Sequence, residues 1–441
     1  MSFRYILLSL LRGMVTVMEL PNFHGGNQSL SDLPVEVLCE IFLKLPMRSL
    51  LSCKCVCKSF DELIKSPTFI ASHVNHNSSS KTNTSCSVSI LVIDGNYRDR
   101  SEHILIGTKD NSVTSIRRVR QSNPLTIPTS VIGSCNGLFC ASLEMIGEQW
   151  GSHIILWNPV TRDNRYLPKP KIDAPERQLF PVFAFGYSPQ SNEYKVVRFI
   201  SYYSSGNITL PSPSDVFIMQ IEVYKMSTDS WTVLDAKALP CDGPDHMSLE
   251  SDPFLPLHFG HSTRTLFLKG AFHWLAVNPK NVTDVCVAVV AFDLEREELK
   301  LNSILEPRRI LHAKKGQLEV INDLLGLIVP HSPTEYPPDF DIWLMNDYGN
   351  RESWTKHYVV EQSTGFARPC GYFKDDLLLM VDNDTDNSLF FYNLHTQERM
   401  YIFKYGQFYY EHSCSYVETL VPVSKRNVVA ENADKVMNRQ C

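Results

Sequence analysis

The stretch Ser31–Phe69, SDLPVEVLCEIFLKLPMRSLLSCKCVCKSFDELIKSPTF, is helical in its pattern and unusually apolar. Everything after it has the short β-branched and aromatic runs of strands, so it divides the chain into a small helical module and a long β domain. Proline is tolerated in a first helical turn, where its missing N–H has no partner to lose. Pro34, with Ser31 and Asp32 ahead of it as caps, therefore predicts a helix start, and Pro46 marks its end. A second helix is expected over Met47–Cys53 and a third over Lys54–Ile64, with Val56, Phe60, Leu63 and Ile64 turned inward. On the first helix Val37, Leu38, Ile41 and Leu45 form one apolar stripe, but Val35, Phe42 and Leu43 put apolar groups on its other sides. Three helices in about forty residues sit at the lower limit of independent stability. Part of this apolar surface is therefore expected to meet a partner.

The chain has 441 residues, 43% hydrophobic and 20% charged, which is ample for a large core beside the small module. A net charge of -6, with no run of Lys or Arg interleaved with aromatics, argues against a nucleic-acid partner. Twelve cysteines lack the even spacing of a secreted disulfide framework, and some, such as Cys140 and Cys286, lie inside apolar runs. They read as reduced thiols of a cytoplasmic or nuclear protein. The apolar run Tyr5–Leu11, between Arg4 and Arg12, is far shorter than the ~20 residues of a bilayer span and has no clean cleavage site after it. Residues 1–27 are accordingly read as an N-terminal extension with no membrane role, to a chain that could equally begin at Met14 or Met18. Residues 424–441 read as a polar tail.

Residues 28–72 then hold the helical module, and the Ser/Asn/Thr tract at 73–87 reads as a linker. From 88 to 423 apolar runs recur in pairs. Gly137-Leu138-Phe139-Cys140 leads to Ile154–Arg162, Tyr194–Phe199 to Val223–Trp231, Gly270–Leu275 to Val290–Leu294, Gly326–Val329 to Ile342–Asp347, and Leu377–Met380 to Phe391–Thr396. Each second run ends in Asn, Asp, Ser or Thr shortly after an aromatic. The aromatics Trp157, Tyr224, Phe292, Trp343 and Tyr392 recur at intervals of roughly 50 to 70 residues, against ~40 to 50 for a propeller blade, with insertions at Ser201–Val216 and Pro240–His261. A blade cannot bury both its faces alone, so such repeats stack and close into a ring. Six or seven units fit; a two-sheet sandwich would leave the repeated strand-turn signature unexplained.

Two resemblances follow from these residues. Leu33-Pro34, Leu45-Pro46, Ser49-Leu50, Cys55-Val56-Cys57-Lys58-Ser59-Phe60, Leu63-Ile64, Pro67 and Phe69 resemble the F-box motif in the form common in plants, with Phe60 where the family usually has Trp and Cys53 where an aromatic or aliphatic residue is usual. Asn136-Gly137-Leu138, Leu156–Arg162, Phe185-Gly186-Tyr187, Tyr194–Val197, Val223-Tyr224 and Ser230-Trp231 resemble the F-box-associated domain, a kelch-like β architecture. Tyr416–Pro422 is similar to the end of that domain in the pollen S-locus group. The fold implied is multidomain: a three-helix F-box followed by an all-β, six- or seven-bladed kelch-like β-propeller. The function implied is that of a substrate receptor of a Skp-cullin-F-box ubiquitin ligase. The resemblance carries docking of the Skp-type adaptor, and through it the cullin and RING subunits, onto Leu33, Pro34, Val37, Ile41, Leu45, Pro46, Leu50, Val56 and Cys57. Ile41→Asp is then expected to abolish that docking while the β domain stays folded. The S-locus likeness would make the target an S-ribonuclease-like protein and the process self-incompatibility.

Other chemistry is thin. Cys135, in Gly133-Ser134-Cys135-Asn136-Gly137, has no base at readable spacing and reads as part of a turn. His258 and His261 make an incomplete metal site. On one helix only Cys53 and Cys57 of the three alternate cysteines would share a face, which favours packing. The recurring Trp and Tyr residues read as packing between blades rather than a sugar or cofactor box. No catalytic residue, metal or cofactor is therefore expected. The competing readings are a propeller enzyme with convergent axial ligands and a scaffold that binds proteins outside any ligase.

Overall fold

The Leu33-Pro34 and Leu45-Pro46 pairs of the helical stretch each stand just ahead of a helix. The computed structural model describes residues 33–79, 88–94, 102–109, 112–120, 127–144, 153–172, 181–203, 217–234, 255–256, 265–277, 287–305, 316–331, 339–361, 367–373, 376–382, 388–404 and 410–423. The helices are α1 (Val35–Leu43), α2 (Met47–Cys53), α3 (Lys58–Lys65) and α4 (Pro67–Ser79). Pro34 and Pro46 occupy the N-cap positions of α1 and α2 in extended conformation, and their carbonyls accept the N–H groups of Leu38 and Leu50. Neither helix has a side-chain cap there, and Ser31 and Asp32 lie outside the described residues.

Two expectations about this module are corrected. The third helix begins at Lys58 rather than Lys54, because Cys55 and Val56 donate their N–H groups to Ser52 and Cys53 in a turn. Cys53 and Cys57 thus flank a turn instead of sharing a helix face. A fourth helix, α4, also replaces the start of the expected linker. Pro67 opens it, Ser66 Oγ accepts the Phe69 N–H at 3.2 Å, and it runs through His73 to Ser79. The four helices enclose Leu38, Ile41, Phe42, Leu45, Met47, Leu50, Cys53, Phe60, Ile64 and Phe69. Phe42 meets the Phe60 and Phe69 rings edge-on.

The strands of the described residues form six antiparallel sheets, with no seventh among them. The first contains Val88–Asp94, Glu102–Lys109 and Ser112–Arg120, with Tyr410–Tyr416 added at its inner edge. The second contains Ile127–Cys135, Leu138–Glu144, His153–Trp157 and Asn164–Tyr166, and the third Val182–Ser188, Glu193–Tyr203, Phe217–Lys225 and Ser230–Leu234. The fourth is built on Ala271–Val277, Val287–Asp293 and Glu298–Leu305, with the short Leu255–Pro256 and Leu266–Leu268 both paired to Ala271–Val277. Gln317–Ile321 to Trp354–Val360 make the fifth, and Ala367–Phe373 to Arg399–Lys404 the sixth. First strands of successive sheets adjoin one another, and Tyr410–Tyr416 adjoins both Ala367–Phe373 and Ile127–Cys135. The domain is therefore an all-β propeller whose ring is closed by a strand from the far end of the chain.

The repeated Asn or Asp has a physical role in these sheets. Asn158, Asp293 and Asn393 each accept, through Oδ1, the N–H groups two and three residues on, and Arg162, Glu297 and Gln397 close the same turns at positive φ. The aromatics before them fill the seams. Trp231 and Tyr224 pack with Leu138, Cys140, Ile154 and Leu156 of the neighbouring sheet, and Phe292 with Val197 and Phe199. Polar contacts stitch the same seams: Lys195 of the third sheet bonds Glu297 and the Leu294 carbonyl of the fourth, and Asn322 of the fifth donates to Asp376 of the sixth.

Candidate functional site

The nine residues expected to touch a partner divide into two sets. Ile41 is 3% exposed, Leu45 7% and Leu50 0%, so these three belong to the module's own core and present no surface. They face inward because Phe60 and Ile64 of α3 and Phe69 of α4 join them in one cluster, covering an apolar stripe that the sequence assigned to a partner. Leu33, Val37, Val56 and Cys57 are half-buried against the core, and Pro34 and Pro46 are exposed. Val35, on the first turn of α1, is 57% exposed, more than any other large apolar side chain among the described residues. Sequence reasoning placed Val35 on the extra apolar face but not among the contact residues.

Cys53, inside the helical core, and Cys39, packed against it, serve as packing groups. Burial pushes the Cys53 thiol up to about 11, and burial together with Glu36 raises that of Cys39. In the propeller, Cys135 ends a strand ahead of the Asn136–Gly137 turn, and burial pushes its thiol up to about 12, away from a thiolate nucleophile. No group of three or more metal-ligating side chains occurs among the described residues, and His258 and His261 lie outside them.

Two elements seat the module on the second sheet. Ile70 and Val74 of α4 pack into the cluster shared by the second and third sheets. Residues 417–423 run between module and sheet: Leu420 enters the helical core, while Val421 and Val423 pack beside Ile70 and Val74. Val160, in the turn after Trp157, also reaches the helical core. The short hairpin turns of the second sheet therefore lie on the side of the ring that carries the module. In an antiparallel meander the other connections open on the opposite face. No helix of the described residues is long and apolar enough to cross a membrane.

Comparison with known proteins bears on both parts. Residues 82–423 match the family model described as F-box associated beta propeller domain, and residues 30–75 match the one described as F-box-like. The chain is similar to the F-box protein CPR1 of Arabidopsis thaliana, at 24% identity with 82% of each chain covered. It is also similar to an F-box/kelch-repeat protein of Arabidopsis thaliana, at 23% identity over 80% of this chain and 85% of that one. Among solved structures, TolB from Acinetobacter baumannii aligns with a TM-score of 0.42 at 9% identity, over 80% of this chain and 73% of that one.

Proposed function

We propose, from the premise that this chain belongs to the F-box-associated β-propeller family and carries an F-box-like module ahead of that domain, that it is the substrate-recognition subunit of a Skp-cullin-F-box ubiquitin ligase. The observation that carries the reading is the set of apolar residues the module leaves uncovered. Val35 stands out in water, and Leu33, Pro34, Val37, Pro46, Val56 and Cys57 are exposed or half-buried around a core that Ile41, Leu45 and Leu50 already fill. Exposed apolar groups on so small a module mark a contact surface. The uncovered set, not the buried one, is the contact proposed for the Skp-type adaptor, which brings the cullin and RING subunits.

The chain contributes no chemistry of its own in this reading. Holding a target near a charged conjugating enzyme raises the effective concentration of its lysines. Each of the six sheets counts as one blade of a six-bladed, kelch-like ring, and the site of action is the cytoplasm or nucleus. Target choice falls to the face opposite the module. The insertions Ser201–Val216 and Pro240–His261 lie largely outside the described residues, but the strands that bound the first, ending at Tyr203 and beginning at Phe217, meet that face. An S-ribonuclease-like target, and with it a role in self-incompatibility, rests only on the likeness of Tyr416–Pro422 to the S-locus group.

The test is co-purification of the full chain with a Skp-type adaptor. Val35→Asp is expected to weaken capture by about tenfold or more, equivalent to about 1.4 kcal/mol, with an unchanged melting curve. Undiminished capture by Val35→Asp and by Val56→Asp, both folded, would discard the docking assignment.

A further inference from the structure

Asn158 does more than its counterparts in the other sheets. Asp293 forms the same turn with a carboxylate, accepting two N–H groups and donating nothing, so the turn itself needs only an acceptor. Asn158 meets that need through Oδ1, which accepts Val160 N–H at 2.9 Å and Thr161 N–H at 3.3 Å. Its amide Nδ2 then donates to two backbone carbonyls 261 and 263 residues away, Thr419 at 3.2 Å and Val421 at 2.8 Å. The side chain is fully buried, and its main-chain N–H and C=O are also bonded, to Asp163 and Arg162. An amide supplies the two donor hydrogens and the acceptor that these four bonds need, where a carboxylate lacks the donors and a hydroxyl has only one.

The segment held by these bonds is the one that joins the two parts of the molecule. Tyr416 ends the closing strand and stacks on Phe139 of the second sheet, with ring centroids 4.9 Å apart. Beyond it Leu420 is 5% exposed within the helical core, and Val421 and Val423 lie with Ile70 and Val74 of α4. Gly137 lets the segment pass so close to the second sheet, since a Cβ there would fall 2.3 Å from Thr419 Cγ2. The module thus completes its core with a side chain from the end of the propeller.

We infer that Val417–Val423 is a strut, locked by Asn158, that makes helical module and propeller one cooperative body, so that the module's exposed edge and the opposite face of the ring keep a fixed relative orientation. The module, at the lower size limit for folding alone, draws part of its stability from the strut. The coupling does not depend on what the exposed edge binds. Each end is oriented through the same seven residues, whichever partners they meet.

The experiment compares full-length wild type with Asn158→Asp, Leu420→Gln and Asn393→Asp by scanning calorimetry and amide hydrogen exchange. Asn158→Asp keeps the turn acceptor but turns an oxygen toward two carbonyls. Leu420→Gln leaves the turn untouched and disturbs only the helical side, and Asn393→Asp makes the same change in the sixth sheet. The wild type and Asn393→Asp are expected to melt in one transition. Asn158→Asp and Leu420→Gln are expected to melt in two, with exchange at Ile70–Val74 faster by about tenfold or more and exchange over Leu324–Pro330 unchanged. If Asn158→Asp does not fold, Leu420→Gln decides alone. A wild type that already melts in two steps, or substituted chains that keep one transition with full protection of α4, would overturn the inference.

Discussion

Gly137 is constrained twice. Its φ of +75° is a conformation that L side chains rarely adopt, and a Cβ would sit 2.3 Å from Thr419 Cγ2 and 2.4 Å from the Val417 carbonyl oxygen. Gly137→Ala is therefore expected to cost more than about 1 kcal/mol in urea unfolding, the loss typical where a new side chain is incompatible with the native backbone. Gly349→Ala, at a similar φ but with open space around it, should show only the backbone part of that loss. The sequence identified Asn136-Gly137 as a turn, which is a local property. The approach of residues 417 and 419 was illegible because it joins positions about 280 apart. Ile41 illustrates the other kind of ambiguity. An apolar stripe looks the same whether its own module or a partner covers it, and the fold assigns Ile41 to the module. Ile41→Ala is expected to destabilise the module by about 2–5 kcal/mol, and Ile41→Asp to unfold it, so loss of adaptor capture in that variant would report folding and not contact.

At the scale of elements, α4 and one sheet seam each carry a buried imidazole. His73 of α4 lies beside the Phe69 ring, and burial, helped by His76, lowers its pKa to about 4. His273, in Ala271–Val277, is lowered to about 4 by burial and meets the Tyr348 hydroxyl at 2.7 Å across the seam between the fourth and fifth sheets. Unfolded, each would titrate near 6.5. Below that value the unfolded chain binds protons that the folded chain refuses, so stability falls as pH drops from about 6.5 to about 4, by up to about 1.4 kcal/mol per pH unit for each histidine. Melting temperature should be flat in this respect above pH 7 and decline below it, and His73→Gln with His273→Gln should flatten the decline. Asp376 adds a separate loss at lower pH. Partial burial opposes its ionisation, but hydrogen bonds from Asn322, His395, Tyr358 and Tyr372 prevail and hold its carboxyl below the usual range, so its contribution is lost only in acid as that carboxyl protonates. Asp376→Asn should remove this last acid step. The element that the sequence reading missed, α4, was signalled by Ser66-Pro67, a cap residue followed by a first-turn proline. The polar character of HVNHNSS hid it, because the apolar side chains by which that helix meets the sheets are only Ile70 and Val74.

The whole molecule is a ring closed by a strand that begins more than 300 residues after the one it pairs with. Sequence repeats reveal sheets that are contiguous in the chain, and the second to sixth sheets were largely legible in that way, through their aromatic and Asn or Asp turns. The first sheet is not contiguous: Tyr410–Tyr416 pairs with Val88–Asp94, placing Leu91 opposite Cys414 and Val92 opposite Ser413. No local pattern distinguishes such a strand from a blade's own outer strand. Closure of this kind removes the edges that would otherwise pair with other chains. It also predicts an alternation. Successive N–H groups along an antiparallel strand point to opposite sides, so of two adjacent prolines, Ser413→Pro and Cys414→Pro, one removes a ladder bond to Val88–Asp94 and the other an outward-facing group. One variant should lose more than about 1 kcal/mol, the cost of an unmet backbone hydrogen bond, and aggregate on warming through its opened edge, while the other stays close to wild type. Two variants of equal stability would mean that the ring does not depend on this pairing. The same strand leads directly into the strut at Val417–Val423, so the variant that opens the ring should also release α4, faster exchange at Ile70–Val74 accompanying the loss of closure.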